Sequence, residues 1–135
     1  MTDLDPRLVE PEYPFQSLLG FRMTGWAPDW AQFELPIADK LGNRYGILHG
    51  GVYSAMLDVV MGYCGCYTGD ADEKQLAMTL SMTTNYVAQP EGPLLIAEGR
   101  RVGGGRRSFF AEGTIRDESG RLVTTGSGVF RYRGR

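Results

Sequence analysis

The sequence predicts an α+β domain in which a curved antiparallel sheet wraps around one long central helix. Three observations carry this reading. Residues 46–66 contain no proline and a single charge, Asp58, and from Gly50 onward their apolar residues recur at helical intervals. Four strand-like runs follow, joined by short turns, which favours antiparallel pairing with the helix against one face. Glycine occurs 19 times in 135 residues, about twice the usual share, as a strongly bent sheet lying close to a helix requires.

Taken in order, residues 1–14 hold three prolines and several acids and read as a loose or peripheral arm. Residues 15–19 form a short helical turn that lays Phe15, Leu18 and Leu19 on the core. Residues 21–26 and 30–35 are two strands with 27–29 as their turn, and Pro36 closes the second. A loop over 37–45 contains Asn43. In the central helix Val52, Met56, Val59 and Tyr63 share one face. Gly51, Ala55, Gly62 and Gly65 form a second, small-residue face with Asp58 among them. Residues 69–74 are a solvated turn. Strands then follow over 75–86, 94–102, 106–116 and 122–132, with 117–120 as a hairpin turn and 103–105 as a glycine bend or bulge.

Two features of the central segment point to chemistry. A carboxylate on an apolar helix costs several kcal/mol to bury unless it is paired or hydrogen-bonded, so Asp58 requires a compensating partner. His49-Gly50-Gly51 opens the helix, leaving unobstructed backbone N–H groups at the positive end of the helix dipole. That is a site for an anion or a polarised carbonyl oxygen. The plainer alternative is a glycine pair that lets the chain turn. Gly50 and Asp58 lie eight residues apart, about 12 Å along a helix, whereas groups acting on one carbonyl must approach to roughly 3 Å. Two antiparallel copies of the helix would satisfy both demands, so the spacing implies a homodimer with composite active sites.

Composition narrows the classes. The net charge is −2 with no dominant basic run, which argues against nucleic acid. No run approaches a membrane span, and the acidic first five residues do not resemble a signal peptide; the expectation is one cytoplasmic domain over 1–135. One histidine and two cysteines, Cys64 and Cys66, offer no zinc ligand set. No metal or other cofactor is expected, and the cysteines read as small buried side chains.

Asn43-Arg-Tyr-Gly46, His49-Gly-Gly51 and Asp58 resemble the hotdog-fold acyl-CoA thioesterases, closest to the phenylacetate-pathway (PaaI-like) branch. Thr83-Thr-Asn-Tyr86 with Pro90, and Gly105-Arg106 before a strand, extend the similarity over roughly residues 20–132. The resemblance implies hydrolysis of an acyl-CoA thioester to acid and coenzyme A, by dimers that commonly pair into homotetramers. Coenzyme A is then part of the substrate. Carried over by position, Asp58 is general base or nucleophile and the Gly50 N–H is the oxyanion donor. Asn43, from the other chain than Asp58, orients water or carbonyl, and Thr79 stands where relatives often carry a serine that assists the water. His49 is either a catalytic acid or a neutral imidazole that fixes the helix start, and with Gly51 it would border the substrate. Arg106 and Arg107 could grip coenzyme A phosphates; the plain reading is a charged hairpin, and adjacent strand residues would face opposite ways. Tyr45, Tyr53 and Tyr63 are candidates for an aryl pocket or for core. The rival functions are a hotdog enoyl-CoA hydratase or dehydratase, with His49 essential, and a non-catalytic acyl-CoA-binding module, which has no need of Asp58.

Overall fold

The computed structural model describes residues 4–134. Six strands form a single sheet: β1 (Arg22–Ala27), β2 (Trp30–Pro36), β3 (Ala77–Tyr86), β4 (Leu94–Gly104), β5 (Ser108–Asp117) and β6 (Leu122–Tyr132). Their order is β1-β2-β4-β5-β6-β3, and every neighbouring pair is antiparallel. A short helix α1 (Pro14–Leu19) precedes the sheet, and the long helix α2 (Gly50–Cys64) packs against all six strands. This is the hotdog arrangement. Among the described residues no helix is long and apolar enough to cross a membrane.

Alternation along the strands decides which face meets α2. On β4, Leu95, Ala97 and Gly99 are buried while Glu98 and Arg100 point away; on β5, Phe109, Ala111, Gly113 and Ile115 are buried. Gly99, Gly113 and Gly126 stand side by side across β4, β5 and β6. They form a trough without side chains in which α2 lies. A Cβ on Gly99 would sit 2.4 Å from the Val60 carbonyl oxygen, and one on Gly126 would sit 2.9 Å from Leu57 Cδ1. The glycine abundance therefore serves helix-to-sheet approach first. Bulges serve the bend, with register shifts at Met23/Gly25, Thr79/Ser81, Arg101/Gly103 and Ile115/Arg116.

The helix is rotated relative to the sequence reading. Its buried side is Val52, Tyr53, Met56, Leu57, Val60, Met61 and Cys64, whereas Val59 and Tyr63 are only half-buried. A sheet that wraps the helix covers more than one stripe, and Val59 and Tyr63 stand at its margin. In α1 the buried residue is Gln16; Phe15 and Leu18 are 48% and 63% exposed, and only Leu19 joins the core. A helix this short presents little more than one side chain to the sheet. The arm is not loose over its described part. Residues Pro6–Leu8 form a 3-10 turn capped by Asp5, Leu8 is buried, and Glu10 is bound to Tyr63 and Lys74. Residues 1–3 lie outside the described residues.

Cys64 and Cys66 are buried and not bridged to each other. Burial pushes the Cys64 thiol up to about 12, which removes it as a nucleophile at neutral pH. At the far end of the sheet Asp117 is buried and accepts from the N–H groups of Glu91, Gly92, Ser119 and Arg121 and from the Ser119 hydroxyl. It ties the β3–β4 connection to the β5–β6 hairpin.

Candidate active site

β3 runs antiparallel to α2, and its helix-facing residues meet the helix in sequence. Tyr86 touches Gly50, Thr84 touches Ser54, and Thr79 touches Asp58. Asp58 is half-buried beside the exposed Thr79, whose hydroxyl donates to Asp58 Oδ1 at 2.5 Å. The compensating partner that the sequence required is thus a hydroxyl together with partial access to water, not a cation. Thr79 holds one carboxylate oxygen, Oδ1; a carboxylate in such a position is chemically able to take a proton from water or to attack a carbonyl carbon.

The opposite end of the helix is organised around His49, its N-cap residue. His49 Nδ1 accepts from the Gly51 N–H at 2.8 Å, and the His49 carbonyl accepts from the Val52 N–H. Tyr86 donates its hydroxyl to the Gly50 carbonyl at 2.8 Å. The peptide between Gly50 and Gly51 is therefore pinned on both sides. The Gly51 N–H, expected to border the substrate, is committed to His49. The Gly50 N–H is the amide of the first turn that keeps no acceptor among the described residues. Because Nδ1 is an acceptor, the ring's remaining proton sits on Nε2. This geometry matches the reading of His49 as the group that fixes the helix start.

Asn43 shapes the loop that leads into this N-terminus. Its Oδ1 accepts from the N–H groups of Tyr45 and Ile47, and its backbone exchanges bonds with Gly46 and Ile47. The side-chain oxygen is spent on the turn, so the amide nitrogen Nδ2 is the part of Asn43 able to meet a substrate. Sequence reasoning missed the hydroxyl cluster between α2 and β3, in which Ser54 Oγ lies 3.0 Å from both Thr84 Oγ1 and Tyr86 OH. The signal was present: Thr84 and Tyr86 alternate on the same face of β3.

α2 is unbroken from Gly50 to Cys64, so its N-terminus and Asp58 remain about 12 Å apart. One chain therefore does not bring the two groups to a single carbonyl. Arg106 and Arg107 fall in the exposed turn between β4 and β5, not on a strand, so the alternation argument does not govern them. Register places that turn at the Thr79 end of the sheet, since Gly104, Phe109, Phe130 and Thr79 are aligned across it.

A cavity of about 320 Å³ opens beside Asp58 and Thr79. Tyr13, Trp26, Val59, Tyr63, Met78 and Phe130 supply its apolar walls. Of the three tyrosines considered from sequence only Tyr63 is among them; Tyr45 is 76% exposed, and Tyr53 is buried edge-on against Tyr86. A larger groove of about 580 Å³, lined by Glu98, Arg100, Glu112 and Arg116, lies on the face of the sheet away from α2 and contains none of the candidate residues. Among the described residues no cluster of histidine, cysteine and acid side chains could hold a metal ion.

Comparison with known proteins gives a consistent result. The family described as the thioesterase superfamily matches residues 45–124. The proposed esterase Rv1847 of Mycobacterium tuberculosis is 28% identical over 122 residues, covering 90% of this chain and 87% of that protein. The structure of the conserved protein PA5202 from Pseudomonas aeruginosa superposes with a TM-score of 0.81 at 27% identity, covering 93% of this chain and 96% of that one. The Escherichia coli PaaI protein of the phenylacetic acid degradation operon shares the fold, with a TM-score of 0.77 at 15% identity over 89% of this chain and 84% of that one.

Proposed function

The chain belongs to the thioesterase superfamily, and on that premise we propose that it is an acyl-CoA thioesterase, releasing free acid and coenzyme A, with sites shared between two copies. The single observation that carries the reading is that one helix presents two complementary groups. A carboxylate oriented by a hydroxyl lies at its middle, and an amide with no acceptor lies at its N-terminus.

The dimer completes them. β3 is an edge of the sheet with one side unpaired, and Leu76, Met78, Leu80 and Val87 on and beside it are each at least 44% exposed. A long exposed apolar edge strand is a template for pairing with another strand. Antiparallel β3–β3 pairing about a two-fold axis would set the Thr79 end of one strand against the Tyr86 end of the other. Asp58 of one copy and Gly50 of the other would then face a common carbonyl, with Asn43 Nδ2 entering alongside Gly50.

In this arrangement Asp58 takes a proton from water, and the hydroxide adds to the thioester carbonyl carbon. The Gly50 N–H receives the oxyanion, aided by the helix dipole. The carbon–sulfur bond then breaks, the proton passes to the thiolate, and acid and thiol leave. Attack by the Asp58 carboxylate itself would give an anhydride that water opens to the same products. The acyl group occupies the cavity beside Asp58, and the turn that carries Arg106 and Arg107 meets the phosphates of coenzyme A. The pairing of dimers into tetramers is carried by family resemblance alone. A hydratase would need His49 as a mobile acid–base group, and its Nδ1 is committed to Gly51.

The test is a panel of aryl, short-chain and long-chain acyl-CoA esters with thiol release followed colorimetrically. Release from at least one, abolished in Asp58→Asn, is expected. No release from any ester, with retained acyl-CoA binding, would replace the proposal by the binding-module reading.

A further inference from the structure

The cavity beside Asp58 does not end at core. A second cavity of about 70 Å³ lies behind it, and Glu10, Trp26, Cys66 and Gln75 line both. These four residues are the partition between them. Trp26 is fixed by its indole N–H donating to the Tyr63 carbonyl, and Cys66 is buried core. Gln75 is held through its side-chain amide to backbone carbonyls of Leu76 and Arg133. Glu10 is the member that comes from the N-terminal arm. It spans the gap with both carboxylate oxygens engaged: Oε1 accepts from the Tyr63 hydroxyl at 2.9 Å, and Oε2 faces Lys74 Nζ at 3.2 Å.

We propose that Glu10 is a specificity-determining residue, the end wall that limits the length of the acyl group admitted beside Asp58. The inference rests on the thioesterase reading for the nature of the ligand. The front cavity alone, at about 320 Å³, lies at the small end of the range of roughly 300–1,000 Å³ typical of ligand sites, so it suits a short or medium acyl group. Shortening Glu10 would join the two spaces and free the volume now filled by its side chain. The new space is lined by Leu8, Val9 and Pro11 of the arm together with Thr68, Asp70, Glu73 and Lys74, so a longer chain would gain its apolar contact from the arm. A carboxylate held between a phenol and an ammonium is also a poor surface for a terminal methyl group, which reinforces the limit.

Wild type, Glu10→Gln and Glu10→Ala are compared by two measurements. One is kcat/KM for straight-chain acyl-CoA esters from acetyl to palmitoyl. The other is equilibrium binding of the corresponding free fatty acids, followed by intrinsic tryptophan fluorescence. Glu10→Gln keeps the size of the wall and an acceptor for Tyr63, so its chain-length cut-off should match wild type. Glu10→Ala should move the cut-off to longer chains and raise kcat/KM or affinity for the first excluded length by about tenfold or more, as one accommodated methylene can. Should Glu10→Ala not fold, as judged by circular dichroism, Glu10→Ser opens the same space. Identical cut-offs in all three proteins, or a shift shared by Glu10→Gln, overturn the proposal. A shift in fatty-acid binding without hydrolysis of any ester supports the partition and removes the thioesterase reading. Hydrolysis with an unmoved cut-off does the reverse, and absence of both activities removes both.

Discussion

The hydroxyl of Thr79 lies 2.5 Å from Oδ1 of Asp58, joining the middle of α2 to the edge strand just before its bulge. The two residues are 21 apart in sequence, and the contact exists because β3 runs back along the helix. It holds one carboxylate oxygen, and in the proposed mechanism the other does the chemistry. Asp58→Asn should therefore keep the fold and lower kcat by a factor of roughly a hundred or more. Thr79→Ser should retain most activity and Thr79→Val should lose about tenfold, with thermal stability little changed in either. Steady-state kinetics beside melting curves check this. A Thr79→Val enzyme with unaltered kcat would remove the hydroxyl from the mechanism.

Asn43 and Asp58 should serve one active site from different chains. Asp58→Ala and Asn43→Ala, each inactive alone, are unfolded together and refolded as a mixture. Random pairing makes about half the dimers mixed, each with one intact site, so activity should return to about a quarter of the parent value. If mixed dimers form and the activity stays at the level of the separate variants, the composite site is wrong.

His49 acts as a helix cap through Nδ1, and Asn is a good cap by the same geometry. His49→Asn should keep activity within a few-fold of wild type. His49→Leu should lose more, together with about 1 kcal/mol of stability, because the Gly51 N–H is left unpaired. Equal and complete loss in both would make His49 a proton-transfer group.

Gly99 sets how closely α2 lies on β4. Gly99→Ala would press a methyl group into the Val60 carbonyl, and backbone cannot turn aside as a side chain can. A loss of about 1–3 kcal/mol is expected from such overpacking. Gly105→Ala, where a Cβ meets nothing within 4 Å, is the control and should melt within a degree or two of wild type. Denaturant unfolding of the pair gives the answer.

Asp117 should make stability pH-dependent on the acid side. The Ser119 hydroxyl, with the N–H of Glu91 next, holds its carboxyl well below the usual carboxylate range. A group depressed in the folded state stabilises fully above its unfolded pKa of about 3.9, and that contribution disappears as pH falls toward the folded value. Asp117→Asn should melt lower than wild type at pH 7, and the gap should narrow from about pH 4 downward. A gap that stays constant to low pH would show that Asp117 contributes through shape and not through charge.

Much of the molecule was legible in the sequence because its signals are local. The helical spacing from Gly50, the strand alternation and the turn at 117–120 each depend on neighbours a few residues away, and each has its counterpart in α2, the sheet and the β5–β6 hairpin. So does the incompatibility of Gly50 and Asp58 in one site, which follows from helical rise alone. What needed the tertiary structure depends on chain pairing over long separations. Only the β3–α2 packing gave Asp58 a hydroxyl partner and set the Tyr86 hydroxyl on the Gly50 carbonyl. Only the depth of the sheet's curl moved the buried face from Val59 and Tyr63 to Leu57, Val60 and Met61. The acidic arm carries no periodic pattern, because what holds it is isolated side chains, the buried Leu8 and the bonded Glu10. Glu10 finds Tyr63 and Lys74 across separations of 53 and 64 residues, and no rule of spacing connects them.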